Sequence, residues 1–278
     1  MRLGASYDRD GFMNRVSVLA VPKLRRSFMK AASRLQQAKY NAILIPIPRT
    51  LQTLIEEYVL GAPYELFVEK LRRSKLISEP VAPWKHIIEP LLHTLREMKH
   101  EDQLLEIFCY RDSTYEEKSA QTAVKISMLT FNLASTGKID LNVWREVLES
   151  ELLTEAEAFE REAEFAVDVV KDYPDAVCVS GVKGGPIFKR LRSAGHDAEL
   201  EYIDLPYYFT PLQILRNEIG LESRGRLLTE DRMKELILEH VGYVKEYVLK
   251  SGDLDEAYLR WIARYRSRFI LEDIMQNA

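Results

Sequence analysis

The stretch PDAVCVSGVKGGPIFKRLRSAG, residues 174–195, has the clearest strand–loop–helix pattern in this chain. A short apolar run is followed by a glycine-rich bend at 181–185 and then by an amphipathic helical segment. A second apolar run at 198–203 follows at once, so the pattern predicts a β-loop-α-β unit. Because ligands of open parallel sheets bind beyond the carboxyl ends of the strands, this bend is the first candidate functional surface.

Three further apolar runs extend this unit into a sheet. They lie at 16–21, 41–47 and 104–110, and helical segments separate them. The run at 41–47 is almost continuously apolar, which is typical of a parallel strand buried on both faces. Proline cannot donate to a ladder, so Pro46 and Pro48 are expected to mark the end of this strand.

The predicted fold is a single α/β domain over residues 1–278, with a mostly parallel central sheet of about five strands and helices on both faces. A helical insertion at 64–150 contains one core strand, and a helical segment at 210–278 forms a C-terminal hairpin. Thr154 and Glu157 have the spacing of a capping box, which predicts that a helix begins there.

The composition and the cysteine content indicate which classes of protein are compatible with this sequence. The chain has 39 basic and 43 acidic residues, and this near balance gives no indication of nucleic-acid binding. No run approaches the roughly 20 apolar residues of a membrane span, and no signal-peptide pattern is found, so we expect a cytoplasmic protein without membrane contact. Cys109 and Cys178 fall in predicted strands, which favours buried free thiols over a disulfide. Abundant Glu, Arg and Lys with two cysteines is typical of thermophiles.

A cation follows each of the first four predicted strands. Lys23 and Arg25 follow the first strand, Arg49 the second, Arg111 the third and Lys183 the fourth. Since parallel strands end at one edge of a sheet, these side chains are expected on one rim, and they indicate a site for a phosphate, a nucleotide or a carboxylate. The alternative is that basic residues are common in the loops of a chain that contains 39 of them.

Gly184 and Gly185 support the anion site. Glycine permits close backbone approach, and Pro186 fits the first helical turn, whose free amides favour an anion. The spacing matches neither a P-loop nor a dinucleotide-binding motif, and an ordinary β-to-α turn is the alternative interpretation.

Metal and nucleophile chemistry have little support in the sequence. His86, His93 and His100 recur every seven residues, whereas zinc-binding helices place histidines four apart. No serine nucleophile elbow is found, and we expect neither a metal nor a cofactor. Asp112 follows a strand and is a candidate base, although carboxylates in such positions are also common as helix caps.

The segment Ile-Pro-Ile-Pro-Arg-Thr-Leu at 45–51, and Glu160-Arg161 on the helix before the fourth strand, resemble the TraB/ChaN/Tiki-type superfamily. The resemblance implies a site for hydrolytic or metal-linked chemistry, made by a Gly-x-x-His motif after strand one, a glutamate after strand two and a second Gly-x-x-His after the Glu-Arg helix. Lys23 and Gly184 stand where the two histidines would be. This substitution is consistent with an anion-binding descendant.

Three functions are compatible with these observations. The first is a binding or regulatory protein that holds an anionic small molecule on the basic rim. Its candidate ligand-binding residues are Lys23, Arg25, Arg49, Arg111, Arg161, Lys183, Gly184 and Gly185. The second is a hydrolase of phosphate or ester bonds, with Asp112 or Glu160 as the base. The third is a structural or partner-binding protein whose apolar helical stripe at 254–269 also suits a symmetric homodimer. Whether a reaction is catalysed stays open.

Overall fold

The computed structural model describes residues 14–74, 81–222 and 225–276, with side chains described as far as residue 265, except that of Ser74. The five strands are β1 (Arg15–Val21), β2 (Ala42–Pro48), β3 (Glu106–Arg111), β4 (Asp175–Gly181) and β5 (Asp197–Tyr202). They form one sheet in the order β3-β2-β4-β1-β5, and every pair of neighbouring strands is parallel. The predicted α/β fold is therefore confirmed.

Ten α-helices lie within the described residues. They are α1 (Arg25–Leu35), α2 (Gln52–Val59), α3 (Tyr64–Ser74), α4 (Val81–Glu101), α5 (Ser113–Thr136), α6 (Leu141–Val170), α7 (Gly185–Ser193), α8 (Pro211–Glu222), α9 (Glu230–Glu246) and α10 (Leu254–Gln276). None of these helices is long and apolar enough to span a membrane.

Two hydrophobic cores lie on opposite faces of the sheet, because successive strand residues point to opposite sides. Leu19 of β1 packs with α1, α2, α3 and α4 on one face. Val18 packs with α6 and α7 on the other face. Cys109 and Cys178 are buried free thiols, as predicted, and burial raises the pKa of Cys178 to about 12.

The second strand ends at Pro48, as predicted, but the prediction that Pro46 also marks its end is wrong, since β2 continues through Pro46. The register between β2 and β3 shifts between Ile45 and Pro48, and the pairing of β2 with β4 ends at Leu44. The irregularity lets the strand pass through a proline that has no amide to donate. A short 3₁₀ turn at Arg49–Leu51 then leads into α2.

The prediction that a helix begins at Thr154 is also wrong. Helix α6 is a single helix of 30 residues, and it begins after Asp140, whose side chain accepts hydrogen bonds from two backbone amides. The Thr154 hydroxyl donates to the Ser150 carbonyl one turn earlier, so this threonine is satisfied inside the helix. The carboxylates of 151–162 therefore stand on one continuous helix.

The C-terminal helices form two further clusters. Helices α8 and α9 pack with α5 and the first half of α6 in a separate core. Tyr258 and Trp261 of α10 pack with Leu24 and with tyrosines of the loop after β5. The part of the predicted apolar stripe beyond residue 265 lies outside the described side chains.

Candidate functional site

A pocket of about 360 Å³ lies at the carboxyl edge of the sheet. Residues that follow β1 and β4 and the last residue of β3 line it together with α5, α6, α8 and the loop after β5. Strands β1 and β4 are neighbours, and the helices that follow them, α1 and α7, pack on opposite faces of the sheet. Open α/β sheets bind ligands at places where the connections diverge in this way.

Three of the predicted ligand-binding residues line this pocket: Lys23 after β1, Arg111 at the end of β3 and Lys183 after β4. They come from three different strand ends, so the sheet brings together residues that are far apart in the sequence. Lys23 is exposed, and no ion pair joins it to any other described residue.

The other two cations are held by carboxylates. The Lys183 Nζ atom lies 2.8 Å from the Glu155 Oε2 atom. The Arg111 guanidinium lies 3.1 Å from Glu116 and 3.4 Å from Glu162, and it stacks 5.2 Å from the centre of the Tyr115 ring. These pairs fix the positions of the cations and also reduce the net positive charge that a ligand meets.

The carboxylates of this site were not among the residues predicted from the sequence. Glu151, Glu155 and Glu162 stand on α6 at spacings of four and seven residues, which place them on one helical face. Glu151 also pairs with Arg216 of α8 at 2.7 Å. Their spacing within the apolar stripe could have identified them, but the predicted break at Thr154 divided the row.

Burial raises the pKa of Glu151 and that of Glu162 above the ordinary value, against the attraction of Arg216 and Arg111 respectively. The Glu162 side chain is only 1 % exposed, and it accepts a hydrogen bond of 2.9 Å from the Asp112 amide. A carboxyl group with a raised pKa is better suited to carry a proton near neutral pH than an ordinary surface carboxylate.

Asp112 belongs to a second charged cluster, beside the pocket but not in its lining. Its side chain caps α5 by accepting a hydrogen bond of 3.0 Å from the Tyr115 amide. Arg161 donates to it at 2.8 Å, and Arg49 lies 3.5 Å away. Burial opposes ionisation, but the hydrogen bonds from Arg161 and the Tyr115 amide outweigh it and lower the pKa of Asp112. This environment suits a structural anion better than a proton acceptor.

The structure does not bring Arg25 or Glu160 to the pocket. The Arg25 side chain extends to α4 and pairs with Glu89 at 2.8 Å, because α1 packs closely on that helix. Its backbone amide donates to Asp255 of α10. Glu160 is exposed on α6, outside the pocket lining, and Glu162 is the buried acid of that turn.

Gly184 and Gly185 form the turn into α7, next to the pocket-lining residues 181–183. A Cβ atom on Gly184 would lie 3.3 Å from the Ser180 Oγ atom and 3.3 Å from the Val18 Cγ1 atom. The close packing of this turn on β4 and β1 therefore accounts for Gly184 without a ligand.

Among the described residues, no group of three or more His, Cys, Asp and Glu side chains is arranged to hold a metal ion. The fold and the pocket define an α/β protein with a charged cavity at the carboxyl edge of a five-stranded parallel sheet.

No family model matches this chain, and no curated protein matches it. Among solved structures, it is similar to an erythromycin esterase mutant in its open conformation, with 14 % sequence identity and a TM-score of 0.29. The likeness covers 87 % of this chain and 59 % of that chain, so this chain spans about three fifths of the length of that protein.

Proposed function

We propose that this protein binds an anionic small molecule in the pocket at the carboxyl edge of the sheet. The observation that carries the proposal is the convergence of Lys23, Arg111 and Lys183 from three strand ends on one cavity. Lys23 lacks an ion-pair partner among the described residues, so its charge is available to a ligand. Phosphate, nucleotide and carboxylate ligands are all compatible with a cation in this position.

The test is thermal-shift screening with inorganic phosphate, adenosine monophosphate and simple carboxylates, followed by calorimetric titration. A ligand present at 100 times its Kd stabilises the native state by about 2.7 kcal/mol. The unfolding entropy of about 0.6 kcal/mol/K expected for 278 residues converts this into a rise in Tm of about 4–5 °C.

The variant Lys23→Met is expected to reduce this shift. Lys70→Met is the matched control, because Lys70 is an exposed lysine that pairs with Glu57 at 2.6 Å and does not line the pocket. The proposal is wrong if no anion of the panel raises the Tm, or if both variants respond to the anions as the parent protein does.

A hydrolase of phosphate or ester bonds is the second candidate, and Glu151 favours it. This pocket carboxyl has a raised pKa, so it is a candidate general acid, while Arg111 and Lys183 supply charge for an anionic transition state. Turnover of p-nitrophenyl phosphate or p-nitrophenyl acetate that disappears in Glu151→Gln would support it. Turnover that is unchanged in a folded Glu151→Gln protein would contradict it.

Membership of the TraB/ChaN/Tiki-type superfamily is a further proposal, and it rests on the segment 45–51 and on Glu160-Arg161. If it is correct, Lys23 occupies a former histidine position inside the pocket. Hydrolysis by the variant Lys23→His, but not by the parent protein, would support this ancestry, and its absence in a folded variant would count against it.

The partner-binding interpretation rests on the C-terminal helices. The homodimer, the cytoplasmic location and the thermophilic origin stay predictions. Tyr258 and Trp261 are already buried within the chain, which reduces the apolar surface that α10 offers to a second copy. Light scattering after gel filtration measures the oligomeric state, and a monomer at micromolar concentration would contradict the dimer.

A further inference from the structure

The pocket is electrically balanced, although the strand ends that feed it are basic. Four cations and three carboxylates line it, and a fourth carboxylate, Glu162, pairs with Arg111 from outside the lining. The lining cations are Lys23, Arg111, Lys183 and Arg216, and the lining carboxylates are Glu116, Glu151 and Glu155. A ligand that carries several negative charges would therefore meet repulsion as well as attraction.

The ion pairs are not spread evenly over these cations. Arg111, Lys183 and Arg216 each have a carboxylate within 3.1 Å. Among the described residues, Lys23 has none. The attraction for a single anionic group is therefore greatest at Lys23, after β1.

The carboxylates offer the complementary interaction. Glu155 lines the pocket, and its side chain is 21 % exposed, so a ligand can reach it. Glu151, one turn earlier on α6, is 7 % exposed, and its carboxyl group adds further oxygen acceptors to the side of the pocket that Glu155 lines. Each of these carboxyl groups already has a cationic partner, Lys183 for Glu155 and Arg216 for Glu151, so a ligand ammonium group would share the carboxyl oxygens with those two side chains.

Apolar surface completes the lining. Tyr115 of α5, Phe159 of α6 and Phe209 of the loop after β5 all contribute to it. A cavity of about 360 Å³ lies at the small end of the size range of ligand pockets, which suits a molecule of amino-acid size. The three kinds of surface correspond to three parts of one ligand: an anionic group, a cationic group and an apolar body.

We infer that the ligand of this pocket is a zwitterion of the amino-acid class, whose carboxylate binds Lys23, whose ammonium group binds Glu155 and Glu151, and whose side chain packs on the aromatic wall. This inference rests on the proposed function and specifies the chemical class of the anionic ligand. The three lining carboxylates weaken the binding of polyanions such as pyrophosphate and nucleoside triphosphates.

The experiment is a thermal-shift screen of the full chain with the twenty L-amino acids, 3-phenylpropionate, 2-phenylethylamine, butyrate and pyrophosphate, followed by calorimetric titration. At least one amino acid is expected to bind ten times more tightly than any probe that lacks either its ammonium group or its carboxylate. Pyrophosphate is expected to be the weakest of the anions.

The variant Glu155→Gln removes one carboxylate from the wall and releases Lys183 from its ion pair. It is expected to weaken amino-acid binding at least tenfold and to strengthen pyrophosphate binding. Glu57→Gln is the control, since Glu57 pairs with Lys70 on the surface, outside this pocket. Circular dichroism and the Tm of each variant establish that it is folded.

Different results would overturn the zwitterion inference and the proposed anion-binding function. If simple carboxylates or pyrophosphate bind as tightly as every amino acid, the zwitterion inference is overturned and the proposed anion-binding function stands. If no amino acid binds, the zwitterion inference is overturned, and if inorganic phosphate, adenosine monophosphate and the simple carboxylates also fail to bind, the anion-binding function is overturned with it. If an amino acid binds but Glu155→Gln and Glu57→Gln bind it equally well, the assignment of the ammonium group to this wall is wrong.

Discussion

Replacement of Asp204 by asparagine removes one negative charge from the loop that joins β5 to α8. Its side chain is only 3 % exposed. The Asp204 carboxylate accepts two hydrogen bonds of 2.8 Å from Arg26 and one of 2.8 Å from the buried Ser27 hydroxyl, and Lys30 also pairs with it. Asp204 therefore ties the loop that carries the pocket residue Phe209 to α1, which follows Lys23.

Asparagine is the appropriate replacement because the backbone at Asp204 has a positive φ of 65°, a conformation that asparagine tolerates. Removing one partner of a fully buried ion pair costs about 3–5 kcal/mol. Arg26 and Lys30 are 37 % and 56 % exposed, so water can solvate them in the variant and the expected loss is smaller, about 2–3 kcal/mol. With an unfolding entropy of about 0.6 kcal/mol/K for this chain length, the Tm should fall by about 3–5 °C at pH 7.

The same change has a defined pH dependence. Burial opposes ionisation of Asp204, but the hydrogen bonds from Arg26, Lys30 and Ser27 outweigh it and hold the pKa well below the ordinary range. A depressed native pKa stabilises the protein fully above the unfolded-state pKa of about 3.9, and the stabilisation is lost as the pH falls towards the native pKa. The difference in Tm between the parent protein and Asp204→Asn should therefore be full at pH 7 and smaller at pH 3.

Differential scanning calorimetry at the two pH values measures both quantities. A variant with the parent Tm at pH 7 would refute the idea that this network stabilises the loop. A deficit of equal size at pH 7 and pH 3 would show that the charge of Asp204 is not its cause.

Three further predictions concern residues around the same edge of the sheet. Asp255→Ala should lower the free energy of unfolding by about 1 kcal/mol in urea titrations, because its carboxylate accepts hydrogen bonds from the first two amides of α1; an unchanged midpoint would contradict this. Asp112→Ala should lower the Tm more than Asp112→Asn, because asparagine keeps the helix cap. Calorimetric titration of Asp112→Asn should give a ligand affinity within twofold of the parent value, and a large loss of affinity would place Asp112 in the binding site. Gly184→Ala should destabilise the protein by about 1 kcal/mol, since its Cβ would lie 3.3 Å from Ser180 and Val18, and a Tm equal to that of the parent protein would exclude this packing role.

The predicted strands agree with the observed strands to within about two residues at each end, because runs of buried β-branched and aliphatic residues carry a strong local signal. Helix α6, which supplies Glu151 and Glu155 to the pocket, was predicted less accurately. Thr154 and Glu157 look like a helix start when only neighbouring residues are considered, but the packing of α6 against α5 and α8 keeps the turn helical. The carboxylates of the pocket were missed for this reason.

For the predicted cations, the sequence indicated where each residue lies along the chain, but only the tertiary structure shows where its side chain points. Their position after the strands was visible in the sequence, and so was the edge of the sheet at which Lys23, Arg111 and Lys183 meet. Arg25 satisfied the same rule, yet the packing of α1 on α4 turns it towards Glu89. A residue's place after a strand fixes its backbone, whereas the neighbouring helices decide where a long side chain goes.

The sequence by itself determined the fold class, the five strands and the edge of the sheet at which functional groups collect, because these depend on hydrophobic periodicity and on the polarity of parallel strands. Only the tertiary structure decided the charge of the pocket. Glu155, Glu151 and Arg216 come from helices far from the strand ends in the sequence, and their ion pairs convert a rim that is basic in sequence into a balanced cavity. Electrostatic interactions depend on distance in space, and a linear pattern does not contain those distances.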